Sequence, residues 1–242
     1  MTSTLKTNAI EPEGATTNLV IGESGQNTVI SNNDIRANVL QDAGGNAVFT
    51  SNGSGVLSGV NSAFGSAMVL LSTQTASDSA SLSFTSGIDS TYKEYIFRFY
   101  NIHPETDIAE FNVTFSTDGG SNYGVTKTCT WFYANHYDND SGTGVQYTTS
   151  LDLAQSTDAQ TLNYDLSSDA GHNAAGELHL FNPSSTTYVK HYFSRMNENP
   201  GDSGSREAFV GGYCNITSAI NAVQFAMSSG NFAGKIKMWG VK

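Results

Sequence analysis

The chain has 242 residues, a formal net charge of −11, 38% hydrophobic residues and only 14% charged ones. So few charges exclude a charge-solvated disordered chain, and the acidic balance excludes a surface built for phosphate backbones or anionic membranes. No run approaches the ~18–20 apolar residues of a spanning helix, and "MTSTLKTNAIEPEG" lacks the apolar core of a secretory signal, so nucleic-acid binding, membrane insertion and signal-led export are not expected.

Residues 17–60 carry the apolar doublets Leu19-Val20, Val29-Ile30, Val39-Leu40, Val48-Phe49 and Val56-Leu57. Turn signals ("GESGQN", "DAGGN", "SNGSG") separate them, which predicts a meander of very short strands. Up to residue 63 the single aromatic is Phe49, whereas residues 64–242 hold the rest. Aromatics supply the large buried areas of a core, so the second part can build one alone and the first cannot. A strand whose apolar face finds no partner in its own chain finds one in another copy, and closed rotational symmetry is the usual solution. Three copies wound around an axis would bury the doublets; the alternative is a flexible, largely disordered arm.

From residue 64 the strand signals are clear. "AMVLLSTQTA" and "ASLSFTSG" come first. "KEYIFRFYNIH" alternates Tyr95, Phe97 and Phe99 against Ile96, Arg98 and Tyr100. "AEFNVTFSTDGGSNY" points Phe111, Val113 and Phe115 inward and ends in a DG turn. "GVTKTCTWFYANHY", "TGVQYTTSLDL", "AGELHLFNPSS", "TYVKHYFSRMN", "REAFVGGYCNI", "NAVQFAMSSGNF" and "GKIKMWGVK" follow. Helical crossovers are absent, so a parallel α/β sheet is excluded. The expected class is all-β: a short N-terminal intertwined β-stalk, then a jelly-roll-like antiparallel sandwich. Cys129 and Cys214 fall in apolar strand-like runs and are expected as buried thiols, with a single bridge between them left open. "RMNENPGDSGSRE" (195–207) reads as a long polar loop, a surface contact or mobile tip.

The densest chemistry lies in "WFYANHYDNDSGTG" (131–144). Sugar recognition needs flat apolar faces beside carboxylates and amides, and loops at the end of a sandwich commonly carry binding residues. Tyr137, Asp138, Asn139 and Asp140 are the candidate glycan- or receptor-binding residues. In the other reading, Trp131 and Tyr133 are core, Phe132 packs on the opposite face, and "YDNDSGTG" is a solvated turn. Asp138 and Asp140 begin like a calcium loop, but the acid required further along is missing. Asp107, Asp118, Asp169 and Asp202 read as turn residues. No histidine pair has helical metal-ligand spacing, although His179 and His191 lie on strands able to pair. Nucleophile elbows, P-loops and dinucleotide fingerprints are all missing. No catalytic residue, metal or cofactor is expected; two carboxylates suited to glycoside hydrolysis leave Glu94 and Glu177 to consider.

"STLKTNAIEPEG", "TNLVIGESG", "LQDAGGNAVFTSNGSGVLSGVNSAF", "EYIFRFYNIHPETD", "FSTDGGSNYG" and "GKIKMWGVK" together resemble virion structural proteins of tailed bacteriophages, in particular the tail-fibre-like proteins of marine phages. The resemblance implies a non-enzymatic virion appendage, homotrimeric and assembled in the host cytoplasm. Residues 1–30 would anchor it to another virion protein. Residues 31–63 would form the stalk or linker, and residues 64–242 the distal domain facing a host-surface glycan or protein. A head fibre or capsid decoration is one alternative, and a polysaccharide-degrading tailspike-type enzyme the other. Sedimentation of the intact chain at micromolar concentration is expected to give about three times the monomer mass; a monomer there would contradict the stalk.

Overall fold

The computed structural model describes residues 39–41, 46–51, 54, 57–60, 67–201 and 204–242. The expected anchoring segment 1–30, with the doublets Leu19-Val20 and Val29-Ile30, lies outside the described residues. The chain divides into two compact units, Met1–Asn61 and Ser62–Lys242.

In the first unit β1 (Val39–Gln41), β2 (Ala47–Ser51) and β3 (Leu57–Val60) pair antiparallel in that order. Leu40 stands opposite Phe49, and Phe49 opposite Val60. Strands this short are marginal alone in water. The doublet Val39-Leu40 remains 43% and 46% exposed within one protomer.

The second unit is a two-sheet sandwich. Its strands are β4 (Met68–Ser79), β5 (Ser81–Phe84), β6 (Glu94–Pro104), β7 (Ala109–Ser116), β8 (Lys127–Tyr137) and β9 (Thr143–Tyr147). After a 3-10 turn at Thr149–Leu151 come β10 (Gln160–Leu166), β11 (Ala174–Phe181), β12 (Lys190–Glu198), β13 (Gly204–Cys214), β14 (Ala222–Met227) and β15 (Phe232–Val241). The large sheet runs β4-β15-β6-β11-β12-β13-β8-β9 and the small one β10-β7-β14-β5. With the hairpins β8–β9 and β12–β13 set aside, eight strands remain. Counted along the chain they lie 1-8-3-6 in one sheet and 2-7-4-5 in the other. That order is a jelly roll, two interlocked Greek keys. Both hairpins extend the large sheet beyond β11.

Alternation places the core. On β6, Tyr95, Phe97 and Phe99 are buried, as are Phe111, Val113 and Phe115 on β7. Phe225 on β14 is the hub: its ring centroid lies 5.1 Å from Phe99, 5.3 Å from Phe97, 5.8 Å from Phe111 and 6.1 Å from Phe84. Phe97 and Phe99 belong to the large sheet and the others to the small one, so a single side chain ties the layers together.

Most of the span 195–207 is strand and not loop. Arg195 and Glu198 lie on β12, Arg206 and Glu207 on β13, and the two strands pair from Lys190↔Cys214 to Glu198↔Arg206. Strict alternation buries Lys190, Tyr192, Ser194, Met196 and Glu198 on one face. β12 thus covers most of the expected strand "TYVKHYFSRMN" and runs one residue past it, to Glu198. Cys129 and Cys214 are both buried free thiols.

Every connection falls at one of two ends. At one end the chain passes through Ala67 into β4 and leaves after β15, where Lys242 N donates to Ala67 O at 2.9 Å. At the other end cluster the β4–β5, β6–β7, β8–β9, β10–β11, β12–β13 and β14–β15 connections. A twelve-residue strand such as β4 separates these ends by about 40 Å.

Phe225→Ala is expected to cost about 3–5 kcal/mol of stability, because four ring contacts and a buried volume go together. Phe132→Ala, on the outer face of the large sheet, is expected to cost under about 1.5 kcal/mol. Urea titrations of the two variants check the contrast.

Candidate functional site

The hairpin β8–β9 carries the residues singled out from the sequence. Tyr137 closes β8, and Asp138, Asn139 and Asp140 form the exposed turn after it. Asp140 adopts φ 56°, and its N donates to Tyr137 O at 3.0 Å. Asn139 Oδ1 accepts from Ser141 N at 2.9 Å, and Asp140 Oδ1 lies 3.0 Å from His136 Nε2. A Cβ on Gly142 would come within 3.1 Å of the Tyr137 ring. Two of the three polar side chains already shape the turn, so the hairpin offers a ligand less than its composition suggests.

The same end of the sandwich contains an open cavity of about 400 Å³, lined by Asp107, Ile108, Asp165, Ser167, Asp169, Pro200, Gly201 and Arg206. Three connections and the edges of β10 and β13 build it. Ser168 N donates to Asp107 Oδ1 at 3.2 Å, which ties the β6–β7 connection to the β10–β11 one, and Asp169 N donates to Ser167 Oγ at 3.1 Å within the latter. Ile108, at φ 59°, is 66% exposed. That backbone is costly for a β-branched residue and common near binding sites.

Arg206 forms the inner wall. Its Nη1 donates to Tyr164 O at 3.0 Å and to Glu198 Oε1 at 3.2 Å. Its guanidinium lies 5.2 Å from the Tyr133 ring centroid and 6.0 Å from that of Tyr164. The Glu198 side chain is fully buried and Arg206 is 11% exposed, so the pair lies in low dielectric. Among the described residues the buried Arg206 Nε has no hydrogen-bond partner. The Asp165 carboxylate beside Tyr164 pushes that phenol above its ordinary range, and burial adds to the effect. A fixed guanidinium, carboxylates at the rim and apolar Ile108 and Pro200 together suit a polyol, whose hydroxyls both donate and accept.

Asp107 and Asp169 are turn residues, as the sequence indicates, yet they also line the cavity. Arg206 was missed, although its parity with Ala208 and Val210 on β13 marks an inward position. Trp131 is fully buried, Tyr133 packs beside it at 5.5 Å, and Phe132 stacks on Phe209 at 5.0 Å on the outer face. β11 and β12 pair, but His179 stands opposite Phe193, and His191 opposite Tyr213. Glu94 and Glu177 flank His179, at 2.5 Å from Nδ1 and 3.3 Å from Nε2. Among the described residues no group of three His, Cys, Asp or Glu is placed to hold a metal ion. Among the same residues no helix is long and apolar enough to cross a membrane. No family model, curated protein or solved structure matches the chain.

Arg206→Met is expected to cost about 3–5 kcal/mol, because it strands the buried Glu198 carboxylate. Arg206→Met combined with Glu198→Leu should recover most of that loss. Thermal unfolding of the single and double variants measures the coupling.

Proposed function

We propose that the protein is a non-enzymatic virion appendage of a tailed bacteriophage, a homotrimer whose distal jelly roll binds a host-surface glycan. Residues 1–30 dock on another virion protein, residues 31–63 form an intertwined stalk, and the domain from residue 64 presents its loop end to the cell. One observation carries this reading. The jelly roll receives and releases its chain at one end, at Ala67 and Lys242, while the cavity and the Tyr137–Asp140 hairpin lie at the other. A module attached through its terminal end thus offers its hydrogen-bonding loops outward. The resemblance of "STLKTNAIEPEG" and "GKIKMWGVK" to tail-fibre-like proteins supports the same polarity. Fold alone would not, since jelly rolls serve many functions.

The test is adsorption of labelled intact protein to host cells. Tyr137→Ala with Asp140→Ala, and separately Asp107→Asn with Asp169→Asn, should leave the fold intact. At least one pair is expected to reduce adsorption about tenfold or more, the effect of losing one binding hot spot. Full adsorption by both variants removes the loop end as the receptor site. A wild-type protein that does not adsorb, on a particle where it decorates the head, establishes the structural alternative. Reducing ends released from host polysaccharide establish the enzymatic one.

A further inference from the structure

The outer face of the large sheet is interrupted at one level across three neighbouring strands. Beside Gly234 of β15, β4 carries one additional residue, with Ser77 and Asp78 standing against Ala233, and the pairing jumps from Phe232↔Ser79 to Gly234↔Ala76. On the other side β6 bulges too, and the pairing jumps from Ala233↔His103 to Lys235↔Tyr100. The backbone is left-handed at Asp78 (φ 52°) and Asn101 (φ 51°). Gly234 has φ 142°, and a Cβ there would meet Ile102 Cδ1 at 2.8 Å and Asn101 O at 2.9 Å. Bulges flanking one glycine on both sides, with two strained non-glycine residues, are an expensive way to build a sheet. They produce an open groove of about 460 Å³, within the roughly 300–1,000 Å³ typical of small-ligand sites.

The lining of the groove is chemically distinct from the rest of the molecule. Its charged residues are Lys235 and Lys237, in a chain of net charge −11. Lys235 stands directly between Thr75 and Tyr100, and Lys237 between Thr73 and Arg98. Lys237 Nζ lies 5.6 Å from the Tyr100 ring centroid, and that tyrosine is 39% exposed. Among the described residues neither lysine has a carboxylate partner, whereas the adjacent Arg98 is held by Glu177 at 3.6 Å. Asn101 and Thr75 are exposed and supply an amide and a hydroxyl.

We infer that this groove is a second binding site, for a saccharide that carries carboxylates. The two ammonium groups take the carboxylate, the Tyr100 ring supplies a flat face for the pyranose C–H groups, and Asn101 and Thr75 meet hydroxyls. Its open, hydrated form suits a hydrophilic ligand better than an apolar one. The site is separate from the loop end and does not depend on the reading proposed for it.

Calorimetric titration of the intact protein with hexameric galacturonate tests the inference, with the carboxyl-reduced hexamer as the uncharged counterpart. Wild type is expected to bind the uronate in a salt-sensitive manner and to bind the reduced hexamer at least about tenfold more weakly. Lys235→Gln with Lys237→Gln should weaken uronate binding about tenfold or more, and Tyr100→Ala should weaken both sugars. All these side chains are surface residues, and an unchanged melting profile confirms folding. Tyr137→Ala, at the loop end, should leave uronate binding as in wild type, so failure of one site is read separately from the other. The inference is overturned if wild type does not bind the uronate at millimolar concentration or if the double lysine variant binds it undiminished. Tighter binding of a glutamate hexapeptide than of the uronate overturns the saccharide assignment.

Discussion

The contact on which the sandwich depends is that of Phe225 with rings from both sheets. Phe97 and Phe99 approach it from β6 and Phe84 and Phe111 from the small sheet. In a jelly roll, chain neighbours are dealt alternately to opposite sheets, so hydrogen bonds within a sheet cannot hold the two layers together. Apolar burial between them must do so, at roughly 1.5–3 kcal/mol for each large side chain removed from water. β14 pairs with β5 and β7, and its inward residues Val223, Phe225 and Met227 aim at β6. Once that layer contact is fixed, the ends of the sandwich, and therefore the loops, are fixed with it.

Beyond β11 the large sheet outgrows its partner. The small sheet has four strands against eight, and the inner face of β12, β13 and β8 is correspondingly polar. Lys127 and Lys190 stand on either side of Cys214 across three strands, all three fully buried. The lysine Nζ atoms donate to Val125 O at 2.9 Å and to Ile216 O at 3.3 Å, which are backbone carbonyls and not carboxylates. Burial therefore pulls both ammonium groups below their ordinary range and pushes the Cys214 thiol up to about 12. Tyr192 is pushed up by the same burial, and its hydroxyl donates to Gln160 Oε1 at 3.2 Å. At the loop end of the same extension, Arg206 Nη1 donates to the buried Glu198 Oε1. Here polar side chains that reach a backbone oxygen or one another stand beside the aromatic packing of Trp131 and Tyr192.

This difference decides what was legible in the sequence. Where the core is aromatic, alternation alone gave strand and face, as for Tyr95, Phe97 and Phe99 or Phe111, Val113 and Phe115. Where inward positions include Lys190, Ser194, Glu198 and Arg206, the strands were still marked in "TYVKHYFSRMN" and "REAFVGGYCNI", but their polar loop-end residues Glu198 and Arg206 read as part of the polar span 195–207. The class and the strand count follow from local pattern, but the pairing β4–β15 joins the two extremes of the domain and no local signal encodes it. The candidate site divides in the same way. The Tyr137–Asp140 turn was visible as a cluster, whereas the cavity draws Asp107, Asp169 and Arg206 from three separate stretches. The lysine groove was invisible because Lys235 and Lys237 become neighbours of Tyr100 and Thr75 only through pairing with β6 and β4.

Charge is sorted along the same architecture. The loop end exposes Asp107, Asp138, Asp140 and Asp169, with Arg206 largely buried behind them. The outer face of the large sheet instead presents Arg98, Arg195, Lys235 and Lys237, of which the two arginines are paired with Glu177 and Glu207. One domain therefore shows an acidic, hydroxyl-matching end and a basic, aromatic groove on its flank, and its net charge describes neither. Composition reports only the sum of these surfaces, so the local sign at each is set by strand pairing and not by the net charge of −11.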